Sequence, residues 1–172
     1  MTNRIQKKNQ SMQPDLFHDE KPLQHSRHQG DYGVMFCDGA CSGNPGNSGI
    51  GVVIYFTGQD MQIEHAKESF RISEYIGIAT NNIAEYSAFI KGLETARSLG
   101  IKKIKIFLDS ELLVRQVNGI YKVKNKNLLL LWTQAVYILK EFDEYKVSHV
   151  RREKNAEADA LARQAVKNKT PV

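Results

Sequence analysis

Four acidic residues stand where carboxylates could act together: Asp38, Glu85, Asp109 and Asp159. Asp38 closes a short apolar run, Val34 to Asp38, and Asp109 closes another, Ile104 to Asp109. Glu85 and Asp159 each fall in the first turns of a segment with helical spacing. Singly, each has an ordinary reading: a turn residue at a strand end, a solvated helix position, or a favourable charge near a helix N-terminus. Gathered at one place, they would do metal chemistry. Two like charges ~4 Å apart repel by about 4 kcal/mol at an effective dielectric near 20. A carboxylate cluster therefore raises its own pKa values or collects cations. Hard oxygen donors with open positions favour Mg²⁺ or Mn²⁺ over zinc. A pair of such ions about 4 Å apart can activate a water and stabilise a leaving oxygen at a phosphodiester.

The elements that must position these acids follow from the hydrophobic pattern. Val34 to Asp38 reads as a strand running into a glycine-rich loop, Gly39 to Gly49. Ile50 to Phe56 is β-branched and apolar, a second strand; Met61 to Glu74 alternates loosely, which suits a third at a sheet edge. The three read as an antiparallel meander. From Thr80 to Leu99 the period changes: Ile83, Ala84, Ala88, Leu93, Ala96 and Leu99 recur at helical steps. Thr80, Asn81 and Asn82 are cap candidates there, and Gly100 ends the helix. A buried strand (Ile104 to Asp109), a short helix (Ser110 to Val117), an amphipathic helix with the only tryptophan (Asn127 to Phe142, Trp132) and a last strand (Lys146 to Val150) come next. Asn155 can cap a final helix that turns Ala156, Leu161, Ala162, Ala165 and Val166 inward. The order βββαβααβα predicts an α/β fold, a mixed sheet with helices packed on it. If strands one and four lie side by side in parallel, Asp38 and Asp109 emerge at the same sheet end, where ligand sites concentrate.

Composition narrows the partners. A net charge of +5 and a pI near 9.1 suit a polyanion. No apolar run approaches the roughly 20 residues that span a bilayer. The N-terminus lacks the apolar centre of a signal peptide, so a cytoplasmic setting is expected and no membrane partner. Cys37 and Cys41 have no partner pair at zinc spacing and read as reduced thiols. Residues 1–30 are rich in Gln, Lys, His, Asn and Ser without a periodic apolar face, and read as a disordered tail; residues 31–172 read as one domain.

Four segments in order then resemble one family. FCDGACSGNPGNSGIGVVI, from Phe36, looks like the opening signature of type 1 ribonuclease H. TNNIAEYSAFIKGLE resembles its Thr-Asn-Asn…Glu helix, IFLDSELLVRQVNG its Asp-Ser strand end, and HVRREKNAEADALARQA its last strand, loop and Asp-bearing helix. The resemblance implies the ribonuclease H-like fold, a five-stranded sheet with three antiparallel and two parallel strands. It implies that Asp38, Glu85, Asp109 and Asp159 hold two Mg²⁺ ions, with Asp38 bridging and Mn²⁺ able to substitute. It implies endonucleolytic cleavage of the RNA strand of an RNA–DNA hybrid, leaving 3′-hydroxyl and 5′-phosphate ends. It also implies RNA-strand contacts from Gly43, Asn44, Asn81 and Asn82, and a DNA-strand phosphate at Thr80. Asparagine both donates and accepts, which suits the 2′-hydroxyl that distinguishes RNA from DNA.

Three departures from the family pattern alter these expectations. Only Gly119 to Asn127 stands where many relatives carry a long basic insertion, leaving Lys122, Lys124 and Lys126 for phosphates. The chain resembles the compact subgroup without the insertion, and its hybrid binding is expected to be weaker and salt-sensitive. The loop before the last helix is Arg-Arg-Glu-Lys-Asn, with no histidine; Arg151 or Arg152 is placed near a phosphate instead. Glu111 follows Asp109-Ser110 where many relatives have a groove-reading glutamine, which puts that contact in doubt. Two other readings stay open: a non-catalytic hybrid-binding module of the same fold, and a superfamily nuclease acting on DNA. Cleavage with and without Mg²⁺ separates the first, and duplex DNA beside a hybrid the second.

In the tail, Gln13-Pro14-Asp15-Leu16-Phe17 resembles the short peptide by which bacterial replication proteins dock on the sliding clamp. Leu16 and Phe17 would enter an apolar pocket while Gln13 supplies hydrogen bonds. Purified clamp is expected to capture the chain, and Leu16→Ala with Phe17→Ala to abolish capture; equal capture of the double variant would refute the assignment.

Overall fold

The computed structural model describes residues 31–66 and 68–168. The tail residues Gln13, Leu16 and Phe17 lie outside them. Five strands, β1 (Tyr32–Gly43), β2 (Gly46–Thr57), β3 (Glu68–Ala79), β4 (Lys103–Leu108) and β5 (Glu144–His149), form one sheet in the order β3-β2-β1-β4-β5. β1, β2 and β3 pair antiparallel, and β4 pairs parallel with both β1 and β5. This is the expected mixed sheet. The helices are α1 (Asn81–Ser98), α2 (Glu111–Val117), α3 (Lys126–Leu139) and α4 (Ala156–Asn168).

Alternation along β2 sorts the helices onto two faces. Ile50, Val52 and Ile54 join Met35, Phe89, Leu93, Ile104 and Ile106 in the buried core beneath α1. Gly49, Gly51 and Val53 face α4 on the other side. Caps fix where the helices begin. Thr80 accepts from the Ile83 N–H at 3.4 Å, Ser110 from the Leu113 N–H at 3.5 Å, and Asn125 from those of Asn127 and Leu128 at 2.9 and 3.1 Å. Gly100, at φ +84°, lets the chain leave α1.

Two element assignments differ from the sequence reading. The glycine-rich segment is not a loop. β1 runs on to Gly43, which pairs with Gly46, so only Asn44 and Pro45 make the turn. Small residues of low β-propensity are recruited because backbone pairing, not side-chain packing, holds this hairpin end. Asp38 therefore stands within β1, two residues past its last pairing with β4, Phe36 with Phe107. The third strand begins at Glu68, not Met61. Ile63–His65 form a short 3₁₀ turn, and Asp60 accepts from the Gln62 N–H at 3.2 Å and meets His65 Nδ1 at 2.6 Å. The last helix begins after a second 3₁₀ turn, Arg152–Asn155.

Two glycines let the helices bring acids to the sheet end. A Cβ on Gly39 would lie 2.3 Å from the backbone of Ala84 and Glu85. A Cβ on Gly51 would lie 2.0 Å from the Ala158 carbonyl oxygen, one residue before Asp159. Gly39→Ala and Gly51→Ala are each expected to lower the unfolding free energy by about 1–3 kcal/mol in urea titrations. Gly58→Ala, whose nearest neighbour is Asp60 Oδ1 at 3.6 Å, should change it little.

Candidate active site

The parallel register sets the first two acids. Residues two apart on a strand share a face. Asp38 and Asp109, each two past the Phe36–Phe107 pair, leave neighbouring strands on the same side. α1 contributes Glu85 from its second turn and α4 contributes Asp159 from its first. All four line one pocket of ≈ 330 Å³, together with Gly39, Ala40, Cys41, Asn81, Arg152 and Arg163. The sequence-assigned carboxylates are thus brought together, with Asn81 and Arg152 beside them. Gly43, Asn44, Thr80 and Asn82 flank the pocket without lining it; Asn44 and Asn82 are exposed. Lys122 and Lys124 are exposed on the connection from α2 to α3, outside the pocket.

Each carboxylate is held by a donor. Asp38 accepts from the Gly39 N–H at 2.8 Å. Glu85 accepts from Ser110 Oγ at 2.6 Å and Asn81 Nδ2 at 2.9 Å. Asp109 accepts from Asn155 Nδ2 at 2.9 Å. Asp159 meets Arg152 at 2.8 Å and Arg163 on its other oxygen. The donors tie elements together. Ser110 joins the end of β4 to α1. Asn44, at the hairpin turn, accepts from the Asn81 N–H at 3.2 Å. Asn155 also donates to the Cys37 carbonyl at 3.0 Å, bracing β1 against the β4 end.

Asn155 is a correction. Its buried side chain is not a helix cap, for its Oδ1 has no hydrogen-bond partner among the described residues. Sequence reasoning also passed over Ser110 as a ligand of Glu85, and Arg163, although its four-residue spacing from Asp159 on one helix was a usable signal. The Glu111 carboxylate pairs on the surface with Arg115 at 2.6 Å, and Arg115 lies over the Tyr121 ring at 5.1 Å.

The electrostatics are uneven. Burial, and then the charges of Asp109 and Asp159, push the Asp38 carboxyl up to about 8. Burial also raises Glu85, and the Ser110 hydroxyl works against it. Burial would raise Asp159 too, but Arg152 and Arg163 outweigh it and hold the group below its usual range. Burial carries the Cys37 thiol well upward, so this cysteine stays protonated. The donor set is all-oxygen, and Asp38, Glu85 and Asp109 are hydrogen-bonded by neutral groups only, so these residues fit hard divalent cations. Among the described residues no three acidic, histidine or cysteine side chains stand in a ready-made ligand array. The observed partners explain this: Asp159 is turned to its arginines and Glu85 to Ser110 and Asn81.

Sheet order and pocket together define a reverse transcriptase-like domain, and the family model of that description matches residues 36–165. "Ribonuclease H" of Chlorobium phaeobacteroides is 33% identical over 150 residues, covering 78% of this chain and 95% of that protein. The "Bifunctional protein Rv2228c" of Mycobacterium tuberculosis is 37% identical over 133 residues, 77% of this chain and 35% of its own; the chain thus spans about a third of that relative. The crystal structure of LC11-RNase H1 in complex with RNA/DNA hybrid superposes with a TM-score of 0.68 at 36% identity, covering 79% of this chain and 97% of the other. The chain belongs to the type 1 ribonuclease H family.

The raised Asp38 carboxyl has a consequence for stability. A folded-state pKa of about 8, above the ordinary 3.8, favours the native state below the lower value. That contribution is lost as pH rises towards the higher value. Without divalent ions, the protein is expected to lose stability between pH 4 and pH 8 from this group. Asp38→Asn should raise stability at pH 8 by about 2 kcal/mol, the full shift being discounted for solvent access. Thermal melts in chelator across that range check both.

Proposed function

We propose that this chain is an endonuclease that hydrolyses the RNA strand of RNA–DNA hybrids. The observation that carries the reading is the single pocket shared by Asp38, Glu85, Asp109 and Asp159, with the neighbouring acids crowding Asp38. Membership of the family, and the likeness to a relative solved with a bound hybrid, support the same assignment.

Asp38, Glu85, Asp109 and Asp159 would hold two Mg²⁺ ions, or Mn²⁺ in their place. When bound, such ions supply an activated water and stabilise the leaving oxygen. The protein's own groups do the positioning. Asn155 and Ser110 fix the Asp109 and Glu85 carboxylates, so that their oxygens face the pocket in one arrangement. Attack on the phosphorus with departure of the 3′ oxygen leaves a 3′-hydroxyl and a 5′-phosphate. Among the described residues no histidine lines the pocket, so proton transfer to the leaving oxygen falls to solvent.

Strand choice is assigned to the rim. Gly43, Asn44, Asn81 and Asn82 would meet 2′-hydroxyls of the RNA strand. Thr80 would receive a phosphate of the DNA strand. Lys122, Lys124 and Arg152, all exposed, would meet further phosphates. With so few cations on the α2–α3 connection, binding should weaken steeply with salt. Among the described residues no helix is long and apolar enough to cross a membrane. We place the enzyme in the cytoplasm, with the Gln13–Phe17 peptide as a tether to the sliding clamp.

An end-labelled hybrid digest, beside duplex DNA and duplex RNA, tests the reading. Cleavage is expected on the hybrid alone, only with Mg²⁺ or Mn²⁺, and lost by more than about a thousandfold in Asp109→Asn, the scale of a removed charge-stabilising group or more. Metal-independent binding without cleavage would favour the non-catalytic module, and equal cutting of duplex DNA would favour a DNA nuclease.

A further inference from the structure

Asp159 differs from the other three acids in the charge of its partners. Asp38, Glu85 and Asp109 accept from neutral groups: a backbone N–H, a hydroxyl and two amides. Asp159 is held by two cations, Arg152 on Oδ1 and Arg163 on Oδ2, so that each oxygen carries its own guanidinium. The carboxylate is deeply set, its side chain 11% exposed, whereas the Arg152 and Arg163 side chains are 68% and 54% exposed. Both arginines therefore reach in from solvent to a shielded carboxylate, and when they swing back to solvent that carboxylate needs another cation in their place. They also line the acid pocket. A divalent ion approaching between Asp38 and Asp159 meets two positive charges already seated.

We propose that Arg163, assisted by Arg152, is an exchangeable counter-cation that occupies Asp159 until the second of two divalent ions displaces it. Arg163 thereby sets the affinity of that second ion and not of the first. The inference rests on the two-ion reading above. The first ion enters at Asp38, Glu85 and Asp109, whose carboxylates carry no arginine hydrogen bond and feel Arg152 only at longer range. The second must displace or push back the guanidiniums, because two positive groups seated on both Asp159 oxygens repel an incoming divalent ion and fill the lone pairs that face the pocket. Arg163 is a positioning residue in this account: one turn beyond Asp159 on α4, it is aimed at the acid by helix geometry.

Mn²⁺ titration of the full chain without nucleic acid, by calorimetry and by electron paramagnetic resonance of free Mn²⁺, tests this. Arg163→Gln is expected to tighten the second ion about tenfold, since one nearby opposite charge moves a carboxylate by roughly one unit or more. The double variant with Arg152→Gln should tighten it further, and Arg163→Lys should return it towards wild type. In Arg163→Gln and Arg163→Lys the first ion should bind as in wild type. Arg97→Gln, which removes a charge paired with Glu141 elsewhere, should change neither ion. A second-ion affinity indifferent to Arg163, or both ions tightening together, overturns the exchange. A wild-type protein that binds no Mn²⁺ at all overturns the two-ion reading along with it.

Discussion

Crowded negative charge at one end of a sheet is the constraint to which the rest of this molecule answers. Asp38 lies among Asp109, Asp159 and Glu85 in a partly buried setting, which is unfavourable for four anions. The structure relieves it in two ways. Neutral donors, Ser110, Asn81, Asn155 and the Gly39 N–H, hold three carboxylates without cancelling their charge. Two arginines cancel the fourth. Relief is thus fuller at Asp159 than around Asp38, and this imbalance is what suits the pocket to hard cations.

Holding acids together against repulsion requires stiff walls, and backbone supplies them. Gly39 and Gly51 let α1 and α4 press onto opposite faces of the sheet, backbone against backbone. A larger residue at either place would lift Glu85 or Asp159 away. The caps at Thr80 and Ser110 set where α1 and α2 begin. Ser110 serves twice, because its hydroxyl receives the Leu113 N–H and donates to Glu85. Local helix chemistry and site geometry are here the same hydrogen-bonded unit.

The four carboxylates were legible in the sequence because strand ends and first helix turns announce themselves through periodicity. The run of strands and helices pointed to a mixed sheet with β1 beside β4, and the five-stranded arrangement came with the family resemblance. What stayed hidden was held by pairing or by distance. The hairpin from Gly39 to Gly49 looked like a loop, since Gly, Ser, Cys and Asn signal turns, yet a backbone ladder needs no particular side chain. The third strand was placed too early because Ile63 and His65 imitate alternation inside a short turn. The bond from Asn155 to Cys37 and Asp109 spans most of the chain, and no local pattern reveals it. Gly43, Asn44, Thr80 and Asn82 were placed beside the acids by resemblance, and they flank the pocket without entering it.

The β1–β4 pairing reaches beyond geometry. These neighbours in the sheet are separated in the chain by β2, β3 and α1, so their union closes a long loop and carries the entropy cost of a non-local contact. α4 adds its acid from near the far end of the described chain. A growing polypeptide that has made only the hairpin and α1 holds two of the four carboxylates. The constellation is therefore complete only when α4 has docked on the sheet that β1 and β4 close.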